Sequence, residues 1–245
     1  MKFRLFEGGG GMAYKRVLLK ITGEALKGES HIFDRKRLDF LADEIKSIHG
    51  QVQLAIVIGG GNIVRGSYLT ENFGTDSATA DHIGMMATIQ NALMLQDFLD
   101  REGLQTRVMT SIEVNKVAEP YIIRRALRHL EKGRVVVLAG GTGNSGVTTD
   151  TAAVLRASDI GADVVMKGTK VDGVYASDPM RNPDAKRYPK ISYNEFLKRG
   201  LGGILDRSAV AQAEMKKMPI FIFKVFEQGN LLKAINGEAA GTLIS

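Results

Sequence analysis

Apolar residues in this chain occur in two patterns. In the first they form short unbroken runs: Val17–Leu19, Leu54–Ile58, Val135–Ala139 and Ile220–Phe223, with Val164–Lys167 apolar up to its last residue. Successive side chains of a strand point to opposite faces of the sheet. A run apolar at every position therefore suits a strand covered on both sides. A brief further strand is expected near Arg107–Met109. In the second pattern apolar residues recur at three- and four-residue spacing. Asp34 caps a predicted helix over Arg35–His49, with Leu38, Leu41, Ile45 and Ile48 on one face. A long helix is expected over Asp81–Glu102, carrying Met85, Met86, Ile89, Leu93 and Leu99 and stopped by Gly103. The two methionines read as core. Pro120 suits the first turn of a helix ending at Gly133. Further helices are expected over Asp150–Ile160, after a Ser192 cap, and over Leu205–Lys217.

Strands that alternate with helices, and are apolar throughout, predict an α/β fold with a mainly parallel sheet covered on both faces by helices. No linker, repeat or low-complexity stretch divides the chain. Its 245 residues, 44% hydrophobic, are enough for one large core, so one domain is expected over residues 12–245. Residues 1–11, ending in the Gly8–Gly11 run, read as an appended leader, with Met12 a natural start. No apolar run reaches the roughly 18 residues of a membrane span. The chain has no cysteine, which excludes disulfides, zinc–thiolate sites and cysteine nucleophiles and fits a cytoplasmic location. The formal net charge of +6 suits anionic ligands such as nucleotides. The basic residues are spread along the chain without aromatic interleaving, which argues against nucleic acid.

In a parallel α/β sheet, ligands sit at the carboxyl ends of the strands. Three such ends are followed by glycine-bearing loops: Thr22–Gly23, Gly59–Gly60–Gly61–Asn62 and Gly140–Gly146. Glycine lets backbone N–H groups approach an anion closely, and a helix starting after the loop adds its positive end. Three such loops at one sheet edge point to a phosphate-rich ligand. Two common phosphate motifs fail on inspection. Gly141–Gly146 satisfies G-x-G-x-x-G, but a dinucleotide fold wants an acidic residue at the end of the following strand, where Lys167 stands. Gly61–Gly66 and Gly141–Gly146 have P-loop glycine spacing, yet Ser67 or Val147 occupies the lysine position. Beside the loops stand Lys20, Arg65 and Asp150. Phosphoryl transfer requires cations on the moving group and correct positioning. Lys20 and Arg65 can supply the cations, and Asp150 can orient them or hold Mg²⁺. The bland readings are a solvated lysine, an arginine paired with a surface carboxylate, and an aspartate that only caps a helix.

The residues that carry these features also resemble a known family. Lys20–Leu26 (KITGEAL), Val57–Gly66 (VIGGGNIVRG), Asp81–Thr88 (DHIGMMAT), Gly141–Asn144 with Thr148–Asp150, Lys167–Tyr175 with Asp178–Pro179, and Gly241–Ile244 (GTLI) are similar, in order and spacing, to motifs of the bacterial uridylate (UMP) kinases. The likeness runs from about Tyr14 to the end. It implies an amino-acid-kinase-like three-layer α/β/α sandwich, usually a homohexamer, that transfers the γ-phosphate of ATP to UMP in pyrimidine biosynthesis with Mg²⁺. It implies that Lys20, Ile21, Thr22, Gly23, Gly61 and Arg65 serve the ATP phosphates, and that Thr169, Tyr175 and Asp178 line the nucleoside part of that site. Gly60, Asp81, Thr142, Gly143, Asn144, Ser145, Gly146, Val147, Thr148 and Thr149 would hold UMP, with Asp81 on the ribose. Lys20, Arg65 and Asp150 would be the catalytic set. UTP inhibition and GTP activation belong to the same expectation. Two departures stand out. Ser145–Gly146–Val147 replaces the family's Pro-Phe-Phe, and the loop Lys27–Asp34 is one residue shorter than the glycine-rich version that serves GTP activation. Three other readings compete: a related kinase acting on a carboxylate or carbamate, a nucleotide sensor without turnover, and an NAD-dependent oxidoreductase.

Overall fold

The computed structural model describes residues 14–245 except Met180, Pro183 and Gly202. The leader expected over residues 1–11 lies outside the described residues. In chain order the strands are β1 (Arg16–Ile21), β2 (Gln53–Ile58), β3 (Thr106–Thr110), β4 (Glu119–Pro120), β5 (Val135–Ala139), β6 (Val164–Thr169), β7 (Val174–Tyr175), β8 (Arg187–Tyr188), β9 (Lys190–Ile191), β10 (Ile220–Lys224) and β11 (Gly241–Ile244). The helices are α1 (Arg35–Ile48), α2 (Gly66–Phe73), α3 (Ser77–Arg101), α4 (Ile123–Glu131), α5 (Thr149–Asp159), α6 (Tyr193–Arg199), α7 (Arg207–Lys216) and α8 (Asn230–Ile235).

Nine strands form one sheet in the order β4-β3-β5-β2-β1-β6-β10-β11-β9, and β7 and β8 form a separate hairpin. All pairings in the large sheet are parallel except β10 with β11. The alternation of side chains divides the core into two layers. Val17, Leu19 and Ile21 of β1 face one way and pack with β2 residues Leu54, Ile56 and Ile58 under α1, α3 and α8. Leu18 faces the other way and packs with Ala55, Val57 and Val165 under α4, α5 and α7. This is the three-layer arrangement expected from the unbroken apolar runs. Among the described residues no helix is long and apolar enough to cross a membrane.

Several boundaries differ from the sequence pattern. The long helix α3 begins at Ser77 instead of Asp81, because Asp76 caps it by accepting from the Thr79 backbone N–H. Pro120 is not in a helix: it belongs to the two-residue edge strand β4, and α4 starts only at Ile123. An edge strand tolerates a residue without an N–H. Helix α2 went unpredicted because none of its residues is buried, so it has no apolar stripe facing the core. α8, β7 and β8 are too short for a periodic signal.

Ile56 is fully buried at the centre of the sheet, between β1 and β5. Ile56→Ala should lower stability by about 2–5 kcal/mol, read as an earlier midpoint in urea unfolding with unchanged slope. A loss below about 1 kcal/mol would mean that this position is not part of a close-packed core.

Candidate active site

The carboxyl ends of β1, β2 and β6 converge on a cleft of about 870 Å³. Its floor is built by strand register. Lys20 on β1 is the direct neighbour of Lys167 on β6. In a parallel pair, directly paired residues project to the same face, here the face under α5. Both lysines are 6% exposed. Helix α5 begins at the rim, where Thr148 caps it by accepting from the Thr151 N–H. This places Asp150 in the first turn, beside the positive end of the helix, where a carboxylate is favoured. Asp150 is therefore not the helix cap, and its side chain is free to point at the lysines. Lys20 Nζ lies 2.7 Å from Asp150 Oδ1, as an ion pair outside hydrogen-bond alignment, while Lys167 Nζ donates to Oδ2. The Asp206 N–H also reaches Oδ2, at 3.4 Å.

The charges of this triad do not cancel. Burial disfavours the charged form of Asp150, but Lys20 and Lys167 outweigh it and hold its pKa below the ordinary aspartate value. Burial, followed by the charge on Lys20, pushes the Lys167 pKa down to about 8, against the pull of Asp150. Within the triad one carboxylate serves two ammonium groups, which leaves one surplus positive charge that the nearby Asp206 carboxylate offsets only in part. A buried surplus charge is costly without a counter-ion. The arrangement is complementary to an anion that arrives at the cleft floor.

The loops above the floor are held by close backbone approach and a buried amide pair. A Cβ on Gly23 would lie 2.6 Å from Gly59 O and 2.9 Å from Gly61 N, so the loops after β1 and β2 meet only because residue 23 has no side chain. Asn62 and Asn91 exchange hydrogen bonds of 3.0 and 2.7 Å, and Asn91 also donates to Gly59 O at 2.7 Å. This fastens the triple-glycine loop to α3. Beside it, Gly146 N–H donates to Asp81 Oδ2 at 2.6 Å. The β7–β8 hairpin covers the opposite side, with Tyr175 donating to Asp172 and Arg187 also donating to Asp172. Two further hollows, of about 570 Å³ beside β4 and 510 Å³ beside α1, are lined by neither Lys20, Asp150 nor Lys167.

A protein-family model described as the amino acid kinase family matches residues 15–224. The chain belongs to the amino acid kinase family. Among solved structures it is similar to UMP kinase from Bacillus anthracis, at 42% identity over 95% of this chain and 96% of that one, with a TM-score of 0.91. It is similar to UMP kinase from Ureaplasma parvum at 32% identity, covering 94% and 98%, with a TM-score of 0.89. Uridylate kinase from Archaeoglobus fulgidus matches at 30% identity over 94% and 100%, with a TM-score of 0.72.

Most residues expected for the donor of this family do meet in one place. Lys20, Thr22, Gly23, Gly61, Arg65, Thr169, Tyr175 and Asp178 line the cleft, and Gly60, Thr149 and Asp150 join them. Ile21 does not: its side chain is fully buried in the core, and its carbonyl accepts from Gly59 N–H. Arg65 lines the cleft and is paired with Glu24 at 3.0 Å. Asp81 and the loop Thr142–Thr148 stand beside the cleft, joined to each other through Gly146. Lys167 has no assigned role in the sequence, although it opens the Lys167–Tyr175 motif and stands where a dinucleotide fold would place a ribose-binding acid. Its signal was a lysine inside a buried run at the same strand end as Lys20. Asn91 carried no local signal, because its partner lies 29 positions away.

Lys167 is charged below about pH 8 and neutral above it. If its charge is used, kcat/KM falls as pH rises through about 8, because that ratio reports groups of the free enzyme. A bound phosphate favours the charged form, so the limb in kcat should lie at higher pH. Lys167→Arg, which does not titrate in this range, should lack the alkaline limb in its residual activity. A wild-type profile that stays flat well above that pH would show that the charge of Lys167 is not needed.

Proposed function

We propose that this chain is a UMP kinase, transferring the γ-phosphate of ATP to the phosphate of UMP to give UDP and ADP. The observation that carries the reading is the buried Lys20–Asp150–Lys167 centre with its surplus positive charge, on the floor of a cleft where glycine loops meet. Similarity at 42% identity to a UMP kinase over nearly the whole chain supports the acceptor.

The mechanism follows from charge and position. A phosphoryl group in flight spreads negative charge over its oxygens and needs little covalent help from the protein. Lys20 and Lys167 meet that charge from the floor, already desolvated and fixed by one carboxylate. Backbone N–H groups of Thr22–Gly23 and Gly60–Gly61 approach the donor phosphates from above. Arg65 exchanges its ion pair with Glu24 for the phosphates. Thr169, Tyr175 and Asp178 take the adenosine end. Gly60, Asp81 and the segment Thr142–Thr149 take UMP, whose ribose hydroxyls meet the Asp81 carboxylate now held by Gly146. Among the described residues no group of three His, Cys, Asp or Glu side chains is placed to hold a metal ion, and Asp150 is engaged by two lysines. Mg²⁺ in this reading travels with ATP, held by its phosphates and by water, as this cation prefers. The resemblance extends the proposal to a cytoplasmic homohexamer inhibited by UTP, while the shortened Lys27–Asp34 loop departs from the version that serves GTP activation.

ADP release with ATP and Mg²⁺, measured against UMP, CMP, dUMP, AMP, carbamate and N-acetylglutamate, should show turnover confined to UMP. Turnover with carbamate or N-acetylglutamate instead would move the chain to another branch of the family. Lys20→Ala should lower kcat by about 10²–10³-fold while leaving thermal unfolding cooperative, and full activity in it would remove the lysine from the mechanism. Val147→Phe, which restores an aromatic beside the acceptor, should lower the KM for UMP. An unchanged KM would show that this loop position does not pack on the base.

A further inference from the structure

Arg156 lies on α5, six residues beyond Asp150, and the phosphate chemistry described above makes no use of it. Its side chain is only 13% exposed. The guanidinium is held on several sides. Nη2 donates to Ser111 Oγ at 2.6 Å and to the carbonyl of Gly141 at 3.2 Å. Nη1 donates to Asp159 Oδ2 at 3.1 Å. The group also sits 4.0 Å from the centre of the Tyr121 ring. Tyr121 OH donates to the same Asp159 oxygen at 3.1 Å, and Ser111 Oγ donates to Gly141 O at 3.1 Å. A planar cation with a fork of donors can satisfy all of these at once, whereas an ammonium group cannot.

Gly141 opens the loop between β5 and α5, the loop assigned above to the acceptor. The rest of that loop has few anchors. Gly140 N–H donates to Thr88 Oγ1 at 2.8 Å, and Gly146 N–H donates to Asp81. Residue 146 has φ +74 and open space where a Cβ would be, so its neighbours do not fix its position. At the near end, the Gly141 carbonyl is gripped by Arg156, on the same helix that carries Asp150, and by Ser111, which Arg156 itself holds. α5 therefore acts as a rigid spacer: its first turn fixes the two lysines, and its middle fixes the start of the acceptor loop.

We propose that Arg156 is a positioning residue for acceptor binding, setting the distance between the Lys20–Asp150–Lys167 centre and the loop from Gly140 to Thr148. The proposal rests on the reading of that loop as the acceptor site. A misplacement of about 1 Å far from the reacting atoms can cost about 10²-fold in rate, which is the scale at stake when the clamp is removed.

The test uses the full chain with Arg156→Lys and Arg156→Gln. Steady-state kinetics would be run with ATP and UMP each varied, alongside thermal unfolding and hydrogen exchange of peptides spanning residues 140–148. The KM for UMP should rise about tenfold or more, with the KM for ATP within about twofold, and Arg156→Lys should fail to rescue it. Exchange in the loop should quicken while peptides of β1 keep their protection. A fall in melting temperature with both KM values and loop exchange unchanged would overturn the proposal and leave Arg156 a structural residue. Ser111→Ala provides a milder probe, should the arginine variants not fold: it removes one acceptor of the clamp together with the bond from Ser111 to Gly141, and keeps the pair of Arg156 with Asp159. It should shift the KM for UMP in the same direction by a smaller factor, and an unchanged value there would also overturn the proposal. If the wild-type chain does not phosphorylate UMP, the acceptor reading fails by itself. Loop exchange in the variants then still decides whether Arg156 positions the loop.

Discussion

Everything at the cleft depends on one carboxylate shared between two buried ammonium groups. Asp150 aims both lysines, and its pull opposes the burial that would favour the neutral form of Lys167. The register between β1 and β6 sets the two lysines side by side, and the cap at Thr148 sets where the first turn of α5 begins. Neither would produce the centre alone. The sheet supplies two cations on one face, the helix end supplies the anion, and the mismatch in their number leaves a positive charge for a phosphoryl group. This is electrostatic preorganisation in its simplest form: the charges are fixed before the reacting group arrives.

The surroundings translate this charge into selectivity. α3 holds the triple-glycine loop through Asn91 and the start of the β5–α5 loop through Thr88. α5 holds the same loop through Arg156. Donor and acceptor loops are thus referred to two long helices that also form the core, which is how loops gain the precision of a scaffold. The Ser145–Gly146–Val147 segment meets Asp81 through the Gly146 backbone N–H.

The layer architecture was legible because unbroken apolar runs such as Val135–Ala139 leave few alternatives to strands covered on both faces. The cleft walls after β1 and β2 were legible through their glycine loops and the charges beside them. What escaped notice did so for physical reasons. Lys167 stands as the polar end of an apolar run, and only the register with β1 shows that it lies beside Lys20. Asp150 was equally compatible with a helix cap until Thr148 took that role. α2 packs nothing apolar against the core, so no periodicity announces it. Arg156 sits on a helix whose other residues explain the pattern, and its partners come from segments 15 to 45 positions away.

The central claim is that Asp150 acts by holding two lysines in place as cations. The most direct measurement is the kinetics of Asp150→Asn, an isosteric change that removes the negative charge alone. The account predicts that kcat falls by about 10²–10³-fold, that the KM for UMP stays within about threefold, and that the alkaline limb due to Lys167 moves to lower pH as its counter-ion is lost. A variant with nearly unchanged kcat and an unmoved alkaline limb would contradict it, because the two lysines would then be charged and positioned without the carboxylate between them.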